Sequence, residues 1–143
     1  MKQYSYGEIH VGHSETFAVE ITEDMQDMFL SISGDNNPMH TDENYARQSG
    51  GDGRFTGKVV YGMLTASFYS TLVGTLLPGE KCLLQEADIK FRKPVYIGDV
   101  LQISGECVDK NDTFNLLIIK AKIRNQNNEL VSTAKLRVGV RDE

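Results

Sequence analysis

The chain has 143 residues, which is the size of one domain. Hydrophobic residues make up 40% and charged residues 24% of it, close to ordinary globular usage, which excludes collagen-like, coiled-coil and disordered chains. With 20 acidic against 15 basic residues the net charge is −5, so we expect no nucleic-acid partner, because such a partner requires a concentrated basic face. We predict a single domain over residues 1–143.

The start of the chain and its cysteines predict the compartment. Residues 1–6 are polar and lack the basic and then apolar segments of a signal peptide. Two cysteines, Cys82 and Cys107, are too few for a disulfide framework or for a four-ligand zinc site. We therefore expect a cytoplasmic protein.

The first elements alternate between strand and helix signals. Residues 15–21 alternate polar and apolar side chains, which predicts a strand with one buried face. Thr22 is placed to cap a helix that begins at Glu23 and ends at Gly34. Apolar residues at helical spacing predict its buried face: Met25, Met28, Phe29 and Ile32.

A loop and a short helix follow. Pro38 lacks a backbone donor and disfavours helical geometry at the residue before it, so we predict a loop over residues 35–40. Asp42 then caps a short helix that runs to Arg47. Residues 49–58 are rich in glycine and predict a flexible flap. They do not form a phosphate-binding loop, because the glycine spacing is wrong and Val59 stands where serine or threonine is required.

The segment from Val59 to Gly79 contains no charged residue. It is long enough to raise the possibility of a membrane span, but serine, threonine and glycine are interleaved throughout. This composition favours a helix that is buried on nearly all sides inside the protein. We therefore expect no membrane association.

After Pro78-Gly79 the pattern changes to strands separated by polar turns. The predicted strands are residues 82–92, 100–109, 114–125 and 130–140, and the predicted turns are residues 97–99, 110–112 and 126–128. Short turns join successive strands into an antiparallel meander. The prediction is an α+β fold with an antiparallel sheet of about five strands wrapped around a central buried helix.

Residues 33–42, with the sequence S-G-D-N-N-P-M-H-T-D, carry the chemistry. Asp35 and His40 are five residues apart, and the flanking Gly34 and Pro38 allow the chain to curl so that both side chains reach one water molecule. A base with a pKa near neutrality beside a carboxylate is suited to activating water. Taken alone, such a pair is more often a turn-forming aspartate and an ordinary half-buried histidine.

The surrounding residues change that balance. The pattern G-D-x-N-P-x-H-x-D resembles the signature of the MaoC-like (R)-specific enoyl-CoA hydratases, a family with the hotdog fold. Further resemblance comes from V-V-Y-G-M-L at residues 59–64, K-F-R-K-P-V at residues 90–95 and the pair Gly98-Asp99. The matches extend from about residue 29 to residue 100.

The resemblance implies a role for each matching residue. Asp35 and His40 would deprotonate a water that adds to the β-carbon of a trans-2-enoyl thioester, and would protonate the α-carbon to give an (R)-3-hydroxyacyl product. The backbone N–H of Gly62 would donate to the thioester oxygen, as suits a helix N-terminus. Three further positions are implied to be near the substrate: Asn37 orienting the loop, Ser70 on the helix, and Tyr61 where the family usually has histidine.

The resemblance also implies the partners and the alternatives. The substrate would be carried by CoA or by acyl-carrier protein, without a metal or redox cofactor, in a homodimer with its active site at the interface. A hotdog thioesterase would need a carboxylate on or beside the central helix, and residues 59–79 contain none. A non-catalytic module that binds acyl thioesters would not need the paired Asp35 and His40.

Overall fold

The computed structural model describes residues 1–49 and 54–141. These residues form five strands and four helices, preceded by one turn of 3₁₀ helix at Tyr6–Glu8. In chain order the elements are β1 (Ser14–Glu20), α1 (Glu23–Ser33), α2 (Pro38–Thr41), α3 (Glu43–Ser49), α4 (Gly62–Thr75), β2 (Cys82–Phe91), β3 (Val100–Asn111), β4 (Leu116–Arg124) and β5 (Leu130–Val140). Residues 50–53, four of the ten residues of the predicted glycine-rich flap, lie outside the described residues.

The strands form one sheet in the order β1-β3-β4-β5-β2, and all neighbouring pairs are antiparallel. Strands β3, β4 and β5 form the predicted meander. The turn between β3 and β4 lies beyond the predicted residues 110–112, because β3 continues to Asn111, which pairs with Leu116. The alternating residues of β3 and β4 that point to one face are buried, and these include Ile103 and Ile119.

Helix α4 covers that buried face of the sheet. Leu72 is fully buried and packs over Gly105, where an added Cβ would lie 2.7 Å from the Leu72 Cδ2 atom. A glycine at this position therefore permits the close approach of helix and sheet. On the same side of the helix, the buried Tyr69 donates a hydrogen bond of 2.9 Å to Ser132 Oγ on β5. The predicted arrangement, a sheet around a central helix, is confirmed.

The predicted helix begins at Gly62, as the family resemblance implied. The residues before it in the uncharged segment are not helical, because Val59 forms a β-bridge with Tyr96 and the Val60 N–H donates to the Val95 carbonyl at 2.8 Å. The prediction that the helix is buried on nearly all sides was wrong for the single chain, in which one stripe of the helix is exposed. The stripe consists of Met63, Ser67, Ser70 and Thr71. An uncharged composition predicts that a helix is buried. It does not indicate whether the covering residues belong to the same chain.

Within the part of the chain that the structure describes, no helix has both the length and the apolar character that crossing a membrane requires.

Helix α1 has the predicted ends, and Met25 and Phe29 pack against the core as predicted, but the rest of its buried face differs from the prediction. Thr22 accepts a hydrogen bond from the Met25 N–H, and Gly34 ends the helix with φ +70°, in the left-handed region that favours glycine. Met28 and Ile32, predicted to be buried, are 61% and 82% exposed. The helix instead turns Gln26 into the core at 2% exposure. This is possible because the amide is hydrogen-bonded there.

Candidate active site

His40 lies on a short helix and not on the predicted loop. Asn37 is the N-cap of α2 and its side-chain oxygen accepts a hydrogen bond of 2.9 Å from the Met39 N–H. Pro38 occupies the first helical position, where its missing N–H costs nothing and its fixed φ suits the helix. The asparagine and proline that suggested a loop therefore begin a helical turn, and this turn fixes the backbone of His40.

The hydrogen bond of the His40 ring determines which nitrogen carries the proton. His40 Nδ1 lies 2.6 Å from the main-chain oxygen of Val59. A carbonyl oxygen can only accept, so the proton of the neutral ring is on Nδ1. The lone pair is then on Nε2, which is the arrangement of a general base.

Tyr61 connects His40 to the loop that carries Asp35. Its ring stacks on the imidazole of His40 with 4.2 Å between the ring centroids. Its hydroxyl donates a hydrogen bond to the main-chain oxygen of Asp35. Burial, together with the nearby carboxylates of Asp35 and Asp27, raises the pKa of Tyr61, so the hydroxyl remains a donor at neutral pH. Tyr61 thus links the two candidate acid/base residues.

The Asp35 carboxylate is on the exposed side of this link. Asp35 Oδ1 accepts a hydrogen bond of 3.2 Å from the Asn37 N–H. The backbone N–H of Asp35 donates to Ser33 Oγ at 3.1 Å. The side chain is exposed in the single chain. The structure therefore connects the backbone of Asp35 to His40 through Tyr61, while the Asp35 side chain is exposed.

His40 and Gly62 line the same cavity, which has a volume of about 280 Å³. Apolar side chains form most of its wall, among them Phe55, Val60 and Phe91. Asp35 is not among the lining residues. A wider depression of about 800 Å³ on the outer face of the sheet is lined by charged strand residues and contains none of the predicted site residues. The smaller cavity therefore contains the candidate active site.

Gly62 brings a hydrogen-bond donor to this cavity. It is the first residue of α4, where N–H groups have no acceptor within the helix and the helix dipole is positive. A Cβ at this position would lie 3.0 Å from the Phe91 ring, so only glycine fits without a shift of that ring. The Gly62 N–H is thus suited to stabilise negative charge on an oxygen in the cavity.

Gln26 is a component of the site that the sequence interpretation missed. Its Nε2 donates to the main-chain oxygens of His40 at 3.0 Å and of Val59 at 3.1 Å, and its Oε1 accepts from the Tyr61 N–H at 3.3 Å. One signal was available. Gln26 precedes Phe29 and Leu30 by three and four residues, so it shares their face of the helix.

Ser70 is not brought to His40. It lies eight residues after Gly62, about 12 Å further along the helix axis, on the exposed stripe of α4. Any role of Ser70 near the substrate stays a prediction.

Comparison with known proteins identifies the family of the chain. A family model described as the MaoC like domain matches residues 10–128. The chain belongs to the MaoC-like domain family. The (R)-specific enoyl-CoA hydratase of Rhodospirillum rubrum is 35% identical over 96 residues, and the 3-hydroxybutyryl-CoA dehydratase of Methylorubrum extorquens is 31% identical over 104 residues. These segments cover 67% and 73% of this chain and 64% of each relative.

Solved structures agree with this assignment. The MaoC-like chain superposes on an R-hydratase from Pseudomonas aeruginosa, determined in the unliganded form, with a TM-score of 0.87 and 27% identity. The match covers 97% of this chain and 86% of the other. The predicted hotdog fold is therefore confirmed.

Proposed function

We propose that the MaoC-like domain catalyses the reversible addition of water to trans-2-enoyl thioesters and so produces (R)-3-hydroxyacyl thioesters. The observation that carries this proposal is one apolar cavity lined by both an imidazole with its proton on Nδ1 and the N-terminus of α4. The first group supplies a base and the second supplies a donor for an oxyanion. The names of the two bacterial relatives support the same reaction.

The reaction begins with the base. His40 Nε2 takes a proton from water while the water oxygen forms a bond to the β-carbon. The electron pair of the carbon–carbon double bond moves toward the thioester, and negative charge develops on its oxygen. The Gly62 N–H donates a hydrogen bond to that oxygen. In the second half, the proton held by the acid/base pair passes to the α-carbon, so that one water has been added and the protein is unchanged.

Asp35 completes the pair in this proposal. Its carboxylate would hold the water beside His40 Nε2 and assist the return of the proton to the same face of the substrate. The (R) configuration that the family resemblance implies would then be set by the face of the β-carbon that the held water attacks. The bond from Tyr61 to the Asp35 carbonyl supports this role because it ties the Asp35 loop to the imidazole.

The proposed reaction requires neither a metal nor a redox cofactor, because a base, an acid and an oxyanion donor are sufficient for it. CoA or acyl-carrier protein would serve as the carrier of the thioester. A cytoplasmic location also belongs to the proposal. It is compatible with the two free thiols, of which Cys107 is buried and Cys82 partly buried.

We further propose that the domain acts as a homodimer. Strand β2 is an edge of the sheet, and Leu83, Leu84 and Phe91 on it are substantially exposed. An edge with exposed apolar side chains is suited to pairing with another strand. Phe91 also lines the cavity beside Gly62, so a second copy on this edge would cover the opening of the site.

A direct test measures the loss of enoyl-thioester absorbance with crotonyl-CoA and then analyses the product by chiral chromatography. We expect hydration and the (R)-3-hydroxy product. Binding of acyl-CoA without hydration would replace the proposal with a binding module. Hydrolysis of the thioester would indicate a thioesterase, which the absence of any acidic residue between Gly62 and Thr75 disfavours. Repeating the assay with crotonyl-carrier protein identifies the preferred carrier.

A further inference from the structure

The buried amide of Gln26 has no part in the chemical steps above. It is the buried residue of α1, and its environment offers two carbonyls and one N–H. A primary amide removed from water is costly unless it is hydrogen-bonded, and here it forms three bonds. Since two acceptors face one end and a donor faces the other, only one orientation of the amide fits. The side chain is therefore held in a single position.

These three bonds join the parts of the site. Gln26 contacts the backbone of His40, the carbonyl of Val59 that accepts the His40 Nδ1 proton, and the N–H of Tyr61, the residue before Gly62. The partners lie 14, 33 and 35 residues away along the chain. The side chain of Gln26 thus contacts the segment of the base, the carbonyl that sets the tautomer of the base, and the residue that precedes α4.

We propose that Gln26 is a positioning residue that fixes the tautomer and the direction of the His40 ring relative to the Gly62 N–H. This inference rests on the proposed function. Without Gln26 the carbonyls of His40 and Val59 and the N–H of Tyr61 each lose a partner, and buried groups of this kind reorient to find others. If the Val59 carbonyl rotates, the Nδ1–H of His40 loses its acceptor, and the proton is no longer restricted to Nδ1. The lone pair of Nε2 would then no longer face the substrate.

Two variants of nearly equal size distinguish positioning from packing. Gln26→Met keeps the volume and removes every hydrogen bond. Gln26→Glu, which burial keeps protonated, can still accept from Tyr61 and donate to one of the two carbonyls. If Gln26 positions His40, kcat should be highest in wild type, lower in Gln26→Glu and lowest in Gln26→Met. We expect Gln26→Met to lose about 10- to 100-fold in kcat, the scale on which partners that orient a reactive imidazole act in metal sites, with KM little changed.

A packing role predicts a different order. Methionine would then preserve kcat and glutamic acid would be worse, because it buries an ionisable group. Equal kcat in wild type and Gln26→Met would overturn the proposal. The control variant is Gln102→Met on β3, where the glutamine is exposed, and it should leave kcat unchanged. If Gln26→Met does not fold, Gln26→Glu carries the test, and wild-type kcat in that variant contradicts the proposal.

A second measurement does not depend on activity. Nuclear magnetic resonance of isotope-labelled histidine reports which ring nitrogen carries the proton, and the chain has three histidines, so a variant lacking His40 assigns its signal. At mildly alkaline pH we expect the Nδ1–H form in wild type and a mixture in Gln26→Met. An unchanged tautomer overturns the proposal. A changed tautomer in a protein that hydrates nothing would uphold the positioning and reject the proposed function.

Discussion

The two groups that face the cavity are held by different kinds of interaction. His40 lies on α2, a four-residue helix without a buried residue, and its ring and backbone are held by hydrogen bonds to Val59 and Gln26. Gly62 opens α4, whose inner side packs against the sheet through residues such as Leu72 and Tyr69. The base therefore depends on a few polar contacts and on the ring of Tyr61, and the oxyanion donor depends on the apolar core.

This contrast separates stability from activity. Apolar contacts are many and individually weak, so loss of one lowers the free energy of unfolding without moving the N-terminus of α4. Polar contacts are few and directional, so loss of one beside His40 changes the geometry of the base while most of the core remains. Matched pairs of variants, one from each region, can break this account.

The largest change in stability is expected from the core. Leu72→Ala removes a fully buried side chain that packs over Gly105, and such changes cost about 2–5 kcal/mol. Urea unfolding measures this loss. We expect the kcat of the folded protein to remain at the wild-type value, and a large fall in kcat would show that α4 is not positioned independently.

Two tyrosines form a matched pair. Tyr61→Phe keeps the ring beside His40 but removes the donor to the Asp35 carbonyl, and Tyr69→Phe removes the donor to Ser132 in the core. One hydrogen bond is worth about 1 kcal/mol, which is about fivefold in a rate. We expect the fall in kcat only in Tyr61→Phe and a loss of stability in Tyr69→Phe. Steady-state kinetics and thermal unfolding of both variants test this, and equal kcat in the two would contradict the contrast.

Two helix caps form a smaller pair. Asn37 caps α2, which carries His40, and Asp42 caps α3 by accepting a 3.0 Å hydrogen bond from the Tyr45 N–H. Each change to alanine should cost about 1 kcal/mol of stability. Only Asn37→Ala should also lower kcat, by less than Tyr61→Phe. If Asp42→Ala lowers kcat as much as Asn37→Ala does, the loss of activity comes from general destabilisation of this segment and not from the cap of α2.

The last effect is confined to alkaline pH. Burial raises the pKa of Tyr69 to about 12, above its ordinary value of about 10 in the unfolded chain. The unfolded state therefore loses its proton first, so this contribution to stability is complete below pH ~10 and declines as the pH rises toward ~12. Burial and the Asp112 carboxylate raise the pKa of Tyr6 to about 12 as well. Thermal unfolding against pH should fall less steeply in Tyr69→Phe, and an unchanged slope would refute this assignment.

The same contrast explains how much could be predicted from the sequence. Strands β2 and β5 match the predicted ranges to within one residue, because alternation and polar turns are local signals. The start of α4 at Gly62 followed from the family resemblance, whereas composition alone marked only the uncharged segment that begins at Val59. Val59 and Val60, which precede the helix, pair with Tyr96 and Val95 more than 30 residues away. Composition does not indicate such a long-range pairing.

The site shows the same division. The motif that contains Asp35 and His40 identified the segment, but not that Asn37 and Pro38 begin a helix there. Helical spacing could have placed Gln26 on the buried face of α1, but not its partners, because the carbonyls that make its burial favourable come from distant segments. Similarly, the interpretation of Tyr61 as part of the pocket did not include its link between His40 and Asp35.

The most direct test of the account compares the hydration of crotonyl-CoA by wild type, His40→Ala, Asp35→Asn and His13→Ala. His13 is a second partly buried histidine, which pairs with Glu15 at 2.8 Å and does not line the cavity. We predict (R)-product formation by wild type and His13→Ala, and a loss of at least about 100-fold in His40→Ala and in Asp35→Asn. Wild-type rates in both of the latter variants would contradict the account.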